Sequence, residues 1–327
     1  MKKILALVLA LCMVFALCAC GSSSGDSDSP AASTVSLNVG TGGESGTYYG
    51  YTGILGTVIG QKTDVKLTVV ATGGSKDNLV SMQDGMYDLA TVQSDVMTYA
   101  YNGTNSFADS GKIDGFRVLC ALYPETVQIV TTDPSLKTVE DLRGKRVCVG
   151  DVGSGTYFNA VDVFAAYDMT IDDVSPVYQS FGDSADSLKN GQIDAAFIVA
   201  GAPTTAVTDL ATTKDVYLVS LDDEHVDKLL ASSPYYTKVT IGKDVYGLDT
   251  DTITVAVSAV VLARDDVSED AIYKLVADIF DNAASLTDTH AKYAEVSTEF
   301  GASVTSVPYH PGAAKYFAEK GFDVPTK

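Results

Sequence analysis

An arrangement of short motifs occurs twice along the chain and limits the folds that it can adopt. The tetrapeptide Ser-Gly-Thr-Tyr stands at 45–48 and again at 154–157, each time after an apolar strand-like run and before a helix-like stretch. Downstream of each copy, a predicted helix ends at a glycine, Gly85 or Gly191, and an apolar strand follows. The same order of elements at nearly the same spacing predicts two similar α/β lobes rather than a chance recurrence.

The two glycine loops form the predicted ligand site, because a strand, loop and helix in this order place the loop at the carboxyl edge of a parallel sheet. A helix start there offers unpaired backbone N–H groups and a partial positive charge, which suit an anion without lysine or arginine. Hydroxyl groups add donors, and a tyrosine ring can cover a small polar ligand. For either loop alone, a tight turn with a helix cap is the alternative. The predicted ligand-binding residues are Gly42, Ser45, Gly46, Thr47, Tyr48, Gln93, Ser94, Ser154, Gly155, Thr156, Tyr157, Asn159 and Gly201.

Motifs for catalysis and for cofactor binding are missing from the sequence. Gly40-x-Gly42 lacks the third glycine and the acidic partner of a dinucleotide fingerprint, and no Gly-Lys-Ser/Thr phosphate loop occurs. The three histidines have no metal-binding spacing, and His310, before Pro-Gly, is expected on the surface in a turn. We therefore expect no cofactor, no metal, no catalytic residue and no enzymatic activity. A secreted enzyme that uses the same cleft is the alternative.

The N-terminus is typical of an exported lipoprotein. A Met-Lys-Lys start precedes the apolar segment 4–18, which is too short for a bilayer core of ~30 Å at about 1.5 Å per residue. Leu17-Cys-Ala-Cys20 resembles a lipobox, so we predict a signal peptide over residues 1–19 and a lipid on Cys20. Residues 20–34 are expected to be a flexible tether, and the chain to be anchored to the cell envelope, on the outer face of the membrane or in the periplasm. A short anchor helix is the alternative.

The net charge limits the partners that the chain can bind. Lys+Arg 22 against Asp+Glu 42 gives a net charge of −20 at pH 7, which argues against nucleic acid and against attraction to anionic lipid. The membrane is therefore expected to be contacted only through the lipid anchor.

Cys120 and Cys148 lie in apolar strand-like runs and are expected to be buried thiols, with a disulfide as the alternative.

Nine motifs between Val35 and Phe322 together carry a resemblance to a known family. They are Thr41-Gly-Gly-x-x-Gly-Thr-Tyr-Tyr49, Gly73-Gly-Ser-x-x-Asn78-Leu, Val92-Gln-Ser-Asp95, Leu122-Tyr-Pro-Glu125, Asp141-Leu-x-Gly-Lys145, Gly153-Ser-Gly-Thr156, Ala200-Gly-Ala-Pro203, Pro234-Tyr-Tyr-Thr237 and His310-Pro-Gly-Ala-Ala-Lys-Tyr316. In this combination they resemble the TAXI family, the substrate-binding proteins of tripartite ATP-independent periplasmic (TRAP) transporters.

The resemblance implies an α/β periplasmic-binding-protein-like fold with two lobes, a ligand cleft between them and hinge strands that cross twice. The β-branched run 252–263 is suited to one crossing, so lobe 1 is expected at 35–124 plus 256–327 and lobe 2 at 125–255. The implied function is a receptor that captures a small carboxylate, such as glutamate or 2-oxoglutarate, and delivers it to TRAP permease subunits in the membrane. We expect the receptor to be a monomer. The alternatives are a binding lipoprotein of an ATP-driven importer and a ligand-sensing surface lipoprotein.

Overall fold

The computed structural model describes residues 34–327. The predicted signal peptide, the lipid on Cys20 and almost all of the predicted tether lie outside these residues. Within residues 34–327, no helix is both long enough and apolar enough to cross a membrane.

The described residues form one ten-stranded mixed sheet with helices packed against it. The strands are β1 (Val35–Gly40), β2 (Val65–Val70), β3 (Leu89–Gln93), β4 (Phe116–Thr131), β5 (Arg146–Cys148), β6 (Ser175–Val177), β7 (Ala195–Ala200), β8 (Tyr217–Leu218), β9 (Thr237–Ile241) and β10 (Thr252–Arg264). The α-helices are α1 (Thr47–Lys62), α2 (Ser75–Gln83), α3 (Ser94–Asn102), α4 (Gly155–Ala166), α5 (Phe181–Lys189), α6 (Thr205–Ala211), α7 (Asp223–Ser232), α8 (Glu269–Asn282), α9 (Thr298–Gly301) and α10 (Pro311–Glu319).

The repeated motif corresponds to a repeated α/β unit. In the first unit, β1 lies between β2 and β3 and is parallel to both; in the second, β5 lies between β6 and β7 in the same way. The helix before the last strand of each unit ends near a glycine with positive φ, Gly85 at +77° and Gly191 at +66°. Glycine adopts this conformation without the steric cost that a Cβ brings. The prediction of two similar α/β units is therefore confirmed.

Two long antiparallel strands, β4 and β10, run through both units. The C-terminal half of β10 pairs with β3, whereas Thr126–Thr131 of β4 pairs with β7. Two register shifts interrupt the ladder between β4 and β10, one between Ser258 and Val260 and one between Val261 and Leu262. Such irregularities bend and twist paired strands. The two strands therefore form the connection at which the sheet passes from one unit to the other.

The hydrophobic core is divided at the same place. One cluster of buried side chains draws on 37–123 and 259–324, and the other clusters draw only on 127–257. We call the part with the first core the first lobe and the other part the second lobe. The two-lobed α/β fold with two crossing strands is thus confirmed.

Side chains near the C-terminus pack onto the first core. The Ser268 hydroxyl accepts the Ala271 N–H and caps α8, and the apolar face of this helix is buried, as its spacing predicts. The prediction that His310 lies on the surface is wrong. Its side chain is buried because one ring nitrogen caps α10 by accepting the Gly312 N–H, and the other bonds to the Val267 carbonyl oxygen. The turn residues therefore lie inside the packing between α8 and α10.

The two cysteines of the described chain are both buried free thiols. Cys120 belongs to the core of the first lobe and Cys148 to a core cluster of the second. Because they lie in different lobes, they do not pair in this fold, and the expectation of buried thiols is confirmed.

The close approach of α10 to α8 leads to a stability prediction. A Cβ on Gly312 would lie 2.3 Å from the backbone oxygen of Glu269, whereas a Cβ on Gly242 would meet no atom within 4 Å. We expect Gly312→Ala to lower the free energy of unfolding by about 1–3 kcal/mol, because the two helices must move apart. Gly242→Ala is the control and should leave it unchanged or raise it by up to about 1 kcal/mol. Urea unfolding measures both, and equal stability of the two variants would contradict the packing.

Candidate functional site

A cavity of about 60 Å³ lies where the two lobes meet, and residues of both lobes line it. The first lobe contributes Gly42, Gly46, Thr47, Tyr48 and Gln93, and the second contributes Ser154, Gly155, Thr156, Gln179 and Phe181, among others. Because a single water needs about 10–15 Å³ of such a volume, the cavity has room for roughly four to six water-sized groups. This is the size of a small solute.

Four α-helices begin at this cavity. Their N-cap residues, Gly46 of α1, Gly74 of α2, Ser154 of α4 and Ser180 of α5, all line it, and two of these helices belong to each lobe. The first N–H groups of a helix lack partners within the helix, and the aligned peptide dipoles add a partial positive charge. The two α/β units therefore surround the cavity with backbone groups that can bind an anion.

Three buried polar atoms at the cavity lack a hydrogen-bond partner in the described part of the chain. They are the hydroxyl oxygen of Tyr48, Oε1 of Gln93 and Oε1 of Glu125. An unsatisfied buried polar group costs about 1–3 kcal/mol, so such groups are rare unless a ligand or water completes them. Three of them on one cavity indicate a binding site for a polar molecule.

Glu125 lies on β4, opposite Val257 of β10, where the strands pass from one lobe to the other. It is 2% exposed, and burial raises the pKa of its carboxyl group to about 8. The Tyr48 hydroxyl, the Lys292 ammonium and the Gly201 N–H oppose this shift by favouring the charged form. The carboxyl group is therefore held in the cavity without enough compensating contacts from the protein.

Hydrogen bonds across the cavity hold the lobes together. The Thr47 hydroxyl donates to the Gly201 carbonyl at 2.9 Å, and the Ala206 N–H donates to the Ser45 carbonyl at 3.2 Å. The Lys76 N–H, in the first turn of α2, donates to the Gly153 carbonyl at 3.1 Å. Each bond joins the first lobe to the second, so the structure shows the lobes in a closed arrangement.

A buried polar bridge beside the cavity adds a further link. The Asn159 amide donates to Oδ2 of Asp95 at 3.1 Å and to the Tyr236 hydroxyl at 2.9 Å. The Tyr236 hydroxyl in turn donates to Oδ2 of Asp162 at 2.9 Å. Burial, reinforced by the charge of Asp162, raises the pKa of the Asp95 carboxyl group to about 7, although nearby N–H groups lower it. The bridge thus places a titratable group of the first lobe against the second.

The predicted site residues fall into two groups. Eight of the thirteen line the cavity: Gly42, Gly46, Thr47, Tyr48, Gln93, Ser154, Gly155 and Thr156. The other five are not among the lining residues and contact other parts of the protein. Ser45, Asn159 and Gly201 form hydrogen bonds between the lobes. The Ser94 hydroxyl accepts the Ser258 N–H, and the Tyr157 ring packs against the rings of Phe158 and Tyr178. Their roles in ligand binding stay predictions.

Other residues line the cavity but are not among the predicted ones. Glu125 ends the motif Leu122-Tyr-Pro-Glu125 and is the only acid in the largely apolar run 116–131. Gly73, Gly74 and Ser75 begin another of the nine motifs, and Ser180 is the N-cap residue of α5. An isolated acid in a buried strand is the signal that could have revealed Glu125.

No cluster of three or more His, Cys, Asp or Glu side chains is arranged to hold a metal ion within residues 34–327. The polar atoms of the cavity are amide, hydroxyl, backbone and carboxyl groups from scattered positions. These polar groups can donate hydrogen bonds to an anion and accept hydrogen bonds from a donor group.

Comparison with known proteins gives one family and several similar structures. The model of the NMT1-like family matches residues 39–321. A protein from Bordetella bronchiseptica RB50 has a similar structure, with a TM-score of 0.51 and 18% identity over 87% of this chain and 89% of that chain. The alkanesulfonate-binding protein SsuA from Xanthomonas axonopodis pv. citri gives a TM-score of 0.48 and 16% identity over 88% and 85% of the two chains. At these identities the likeness concerns the fold alone.

The bridge at Asp95 implies a pH-dependent stability. The folded chain keeps a proton on Asp95 up to about pH 7, whereas the unfolded chain releases it near pH 4, so folding takes up a proton between these values. The free energy of unfolding should therefore fall as the pH rises from about 4 to about 7, by at most about 1.4 kcal/mol per pH unit from this group.

Asp95→Asn tests this dependence, because the amide cannot titrate. Urea unfolding at pH 5, 6 and 7 should show a smaller fall for the variant than for the wild-type chain. Glu125→Gln should also reduce the fall, with its effect extending to about pH 8 because the pKa of that group is higher. Identical pH dependence of wild type and Asp95→Asn would show that the carboxyl group is not buried between the lobes.

Proposed function

The chain belongs to the NMT1-like family of solute-binding proteins, and we propose that it captures a small carboxylate between its two lobes and delivers it to an importer in the membrane. The cavity between the lobes carries this proposal. It is lined by the N-termini of four helices, two from each lobe, and by three unsatisfied polar atoms. A ligand that contacts both lobes favours the closed arrangement, and closure is the change that a permease can recognise.

The residue limits of the two lobes are part of this proposal. We propose that residues 35–124 with 256–327 form one closing body and that residues 125–255 form the other. The division of the hydrophobic core supports these limits, since it changes between Tyr123 and Val127 and again between Val257 and Ala259.

Two classes of importer are candidates for the partner. The match to the NMT1-like family shows a solute-binding protein without showing the TAXI family, and we propose an ATP-driven importer as the first candidate. The motifs support a TRAP permease as the second candidate. Uptake of the ligand into cells distinguishes them, because collapse of the ion gradient at constant ATP stops only the second.

The location follows from the same proposal. A receptor of this kind works outside the cytoplasm, and the apolar N-terminal segment with Cys20 in its lipobox supports export and lipid anchoring. The anchor and the following Gly- and Ser-rich tether would keep the receptor near its permease without restricting closure.

Thermal unfolding of the ligand-free chain tests the proposed function. The chain is unfolded in denaturant to remove bound solute, refolded, and heated with glutamate, 2-oxoglutarate, succinate, glutamine or neutral amino acids. A ligand at 100 times its dissociation constant should raise the free energy of unfolding by about 2.7 kcal/mol and shift the midpoint by several degrees. A sulfate series at equal ionic strength controls for salt. An unchanged midpoint across the panel would contradict capture of a small carboxylate.

Thr156 provides a test of the site itself. Its side chain is 3% exposed in the first turn of α4 and lines the cavity. Thr156→Val keeps the shape and removes the hydroxyl, so affinity for the bound carboxylate should fall by about 1–3 kcal/mol. Thr57→Val, on the exposed face of α1, is the matched control and should bind like the wild type. Titration calorimetry measures both, and equal affinities would remove Thr156 from the site.

A further inference from the structure

The cavity has two chemically different sides. The helix N-termini form a side that favours negative charge, and the charged side chains among the described lining residues, Glu125 and Asp151, are both acids. No lysine, arginine or histidine of the described chain lines the cavity. A ligand with only negative charges would therefore bring no cation to Glu125, and the charged form of this buried carboxyl group would stay unfavourable.

No cation of residues 34–327 forms an ion pair with Glu125. Its Oε1 atom has no hydrogen-bond partner among residues 34–327, and the side chain forms no ion pair there. Lys292, the lysine whose charge acts on Glu125, pairs instead with Glu295, with its Nζ atom 2.5 Å from Oε1 of that residue. An acid buried in this way calls for a positive charge that the protein does not supply.

The unsatisfied atoms also match a particular donor group. A protonated primary amine has three N–H donors and no acceptor, and the carboxyl oxygen of Glu125, the amide oxygen of Gln93 and the phenol oxygen of Tyr48 can all accept. A ketone or carboxylate oxygen needs donors instead, which the amide oxygen of Gln93 cannot provide. An ammonium group can donate to all three atoms, whereas an oxygen of an amine-free acid can accept only from the Tyr48 hydroxyl and from a protonated Glu125 carboxyl group.

We propose that Glu125 binds the protonated amino group of the ligand, so that the solute is a small amino acid and not an amine-free dicarboxylic acid. This inference rests on the proposed function and names its ligand class. The carboxylate of the amino acid lies toward the helix N-termini, and its ammonium group lies toward Glu125, Gln93 and Tyr48. Because Glu125 is on a crossing strand, the contact is made at the point where the lobes join.

The test compares ligands that differ only in the amino group. Titration calorimetry on the refolded chain measures L-glutamate against 2-oxoglutarate, L-alanine against pyruvate and L-leucine against 4-methyl-2-oxopentanoate. For the pair that binds, we expect the amino acid to bind at least about tenfold more tightly than its keto acid. This comparison uses the wild-type chain and does not depend on the folding of any variant.

Three variants assign the preference to a residue. Glu125→Gln should weaken binding of the amino acid by about tenfold or more and bring its affinity close to that of the keto acid. Asp278→Asn is the control, because Asp278 is also a buried acid with an unsatisfied oxygen but lies on α8, away from the cavity. It should keep the wild-type preference. Asp151→Asn tests the other acid of the cavity.

The outcomes separate this inference from the function on which it rests. A keto acid that binds as tightly as its amino acid would overturn the inference and leave a carboxylate receptor. Loss of the preference in Asp151→Asn but not in Glu125→Gln would overturn the role of Glu125. If no compound of the panel binds, the proposed function and the inference both fail.

Discussion

The pairing of β4 with β10 holds the two halves of the molecule in register. These strands belong to both lobes, and the change from one hydrophobic core to the other occurs along them. They are the crossing that lets two similar α/β units face each other with their helix N-termini toward one cavity. Glu125 lies on this crossing, so the connection between the lobes also supplies an acidic side chain of the candidate site. In the proposed function, closure and ligand recognition therefore both involve this crossing.

The repeat explains how an acidic chain can hold an anion with few basic residues. Each unit brings two helix N-termini to the cavity, so positive character comes from the backbone rather than from side chains. The same loops also connect the lobes, as shown by the Thr47 hydroxyl on the Gly201 carbonyl and the Lys76 N–H on the Gly153 carbonyl. In the proposed function, binding and closure thus draw on neighbouring groups of the same loops, which is an arrangement suited to coupling them.

Much of the fold could be predicted from the sequence, because it depends on local signals. The repeated glycine loops, the helix ends near Gly85 and Gly191 and the apolar spacing of α8 are each visible in a short stretch. The direction of a side chain at the meeting of two lobes is not a local property. Ser94 follows a strand at the right edge, yet its hydroxyl accepts the Ser258 N–H of a strand far away in sequence. The burial of His310 could not be predicted for the same reason, since elements distant along the chain decide it.

Closure of the two lobes on a small solute can be measured by small-angle X-ray scattering. The refolded, ligand-free chain is compared with the same chain saturated with the solute that binds. Closure predicts a larger radius of gyration for the ligand-free chain and, after saturation, a curve that agrees with the closed structure of residues 34–327. Identical curves in the two conditions would contradict closure and, with it, the proposed coupling of binding to delivery.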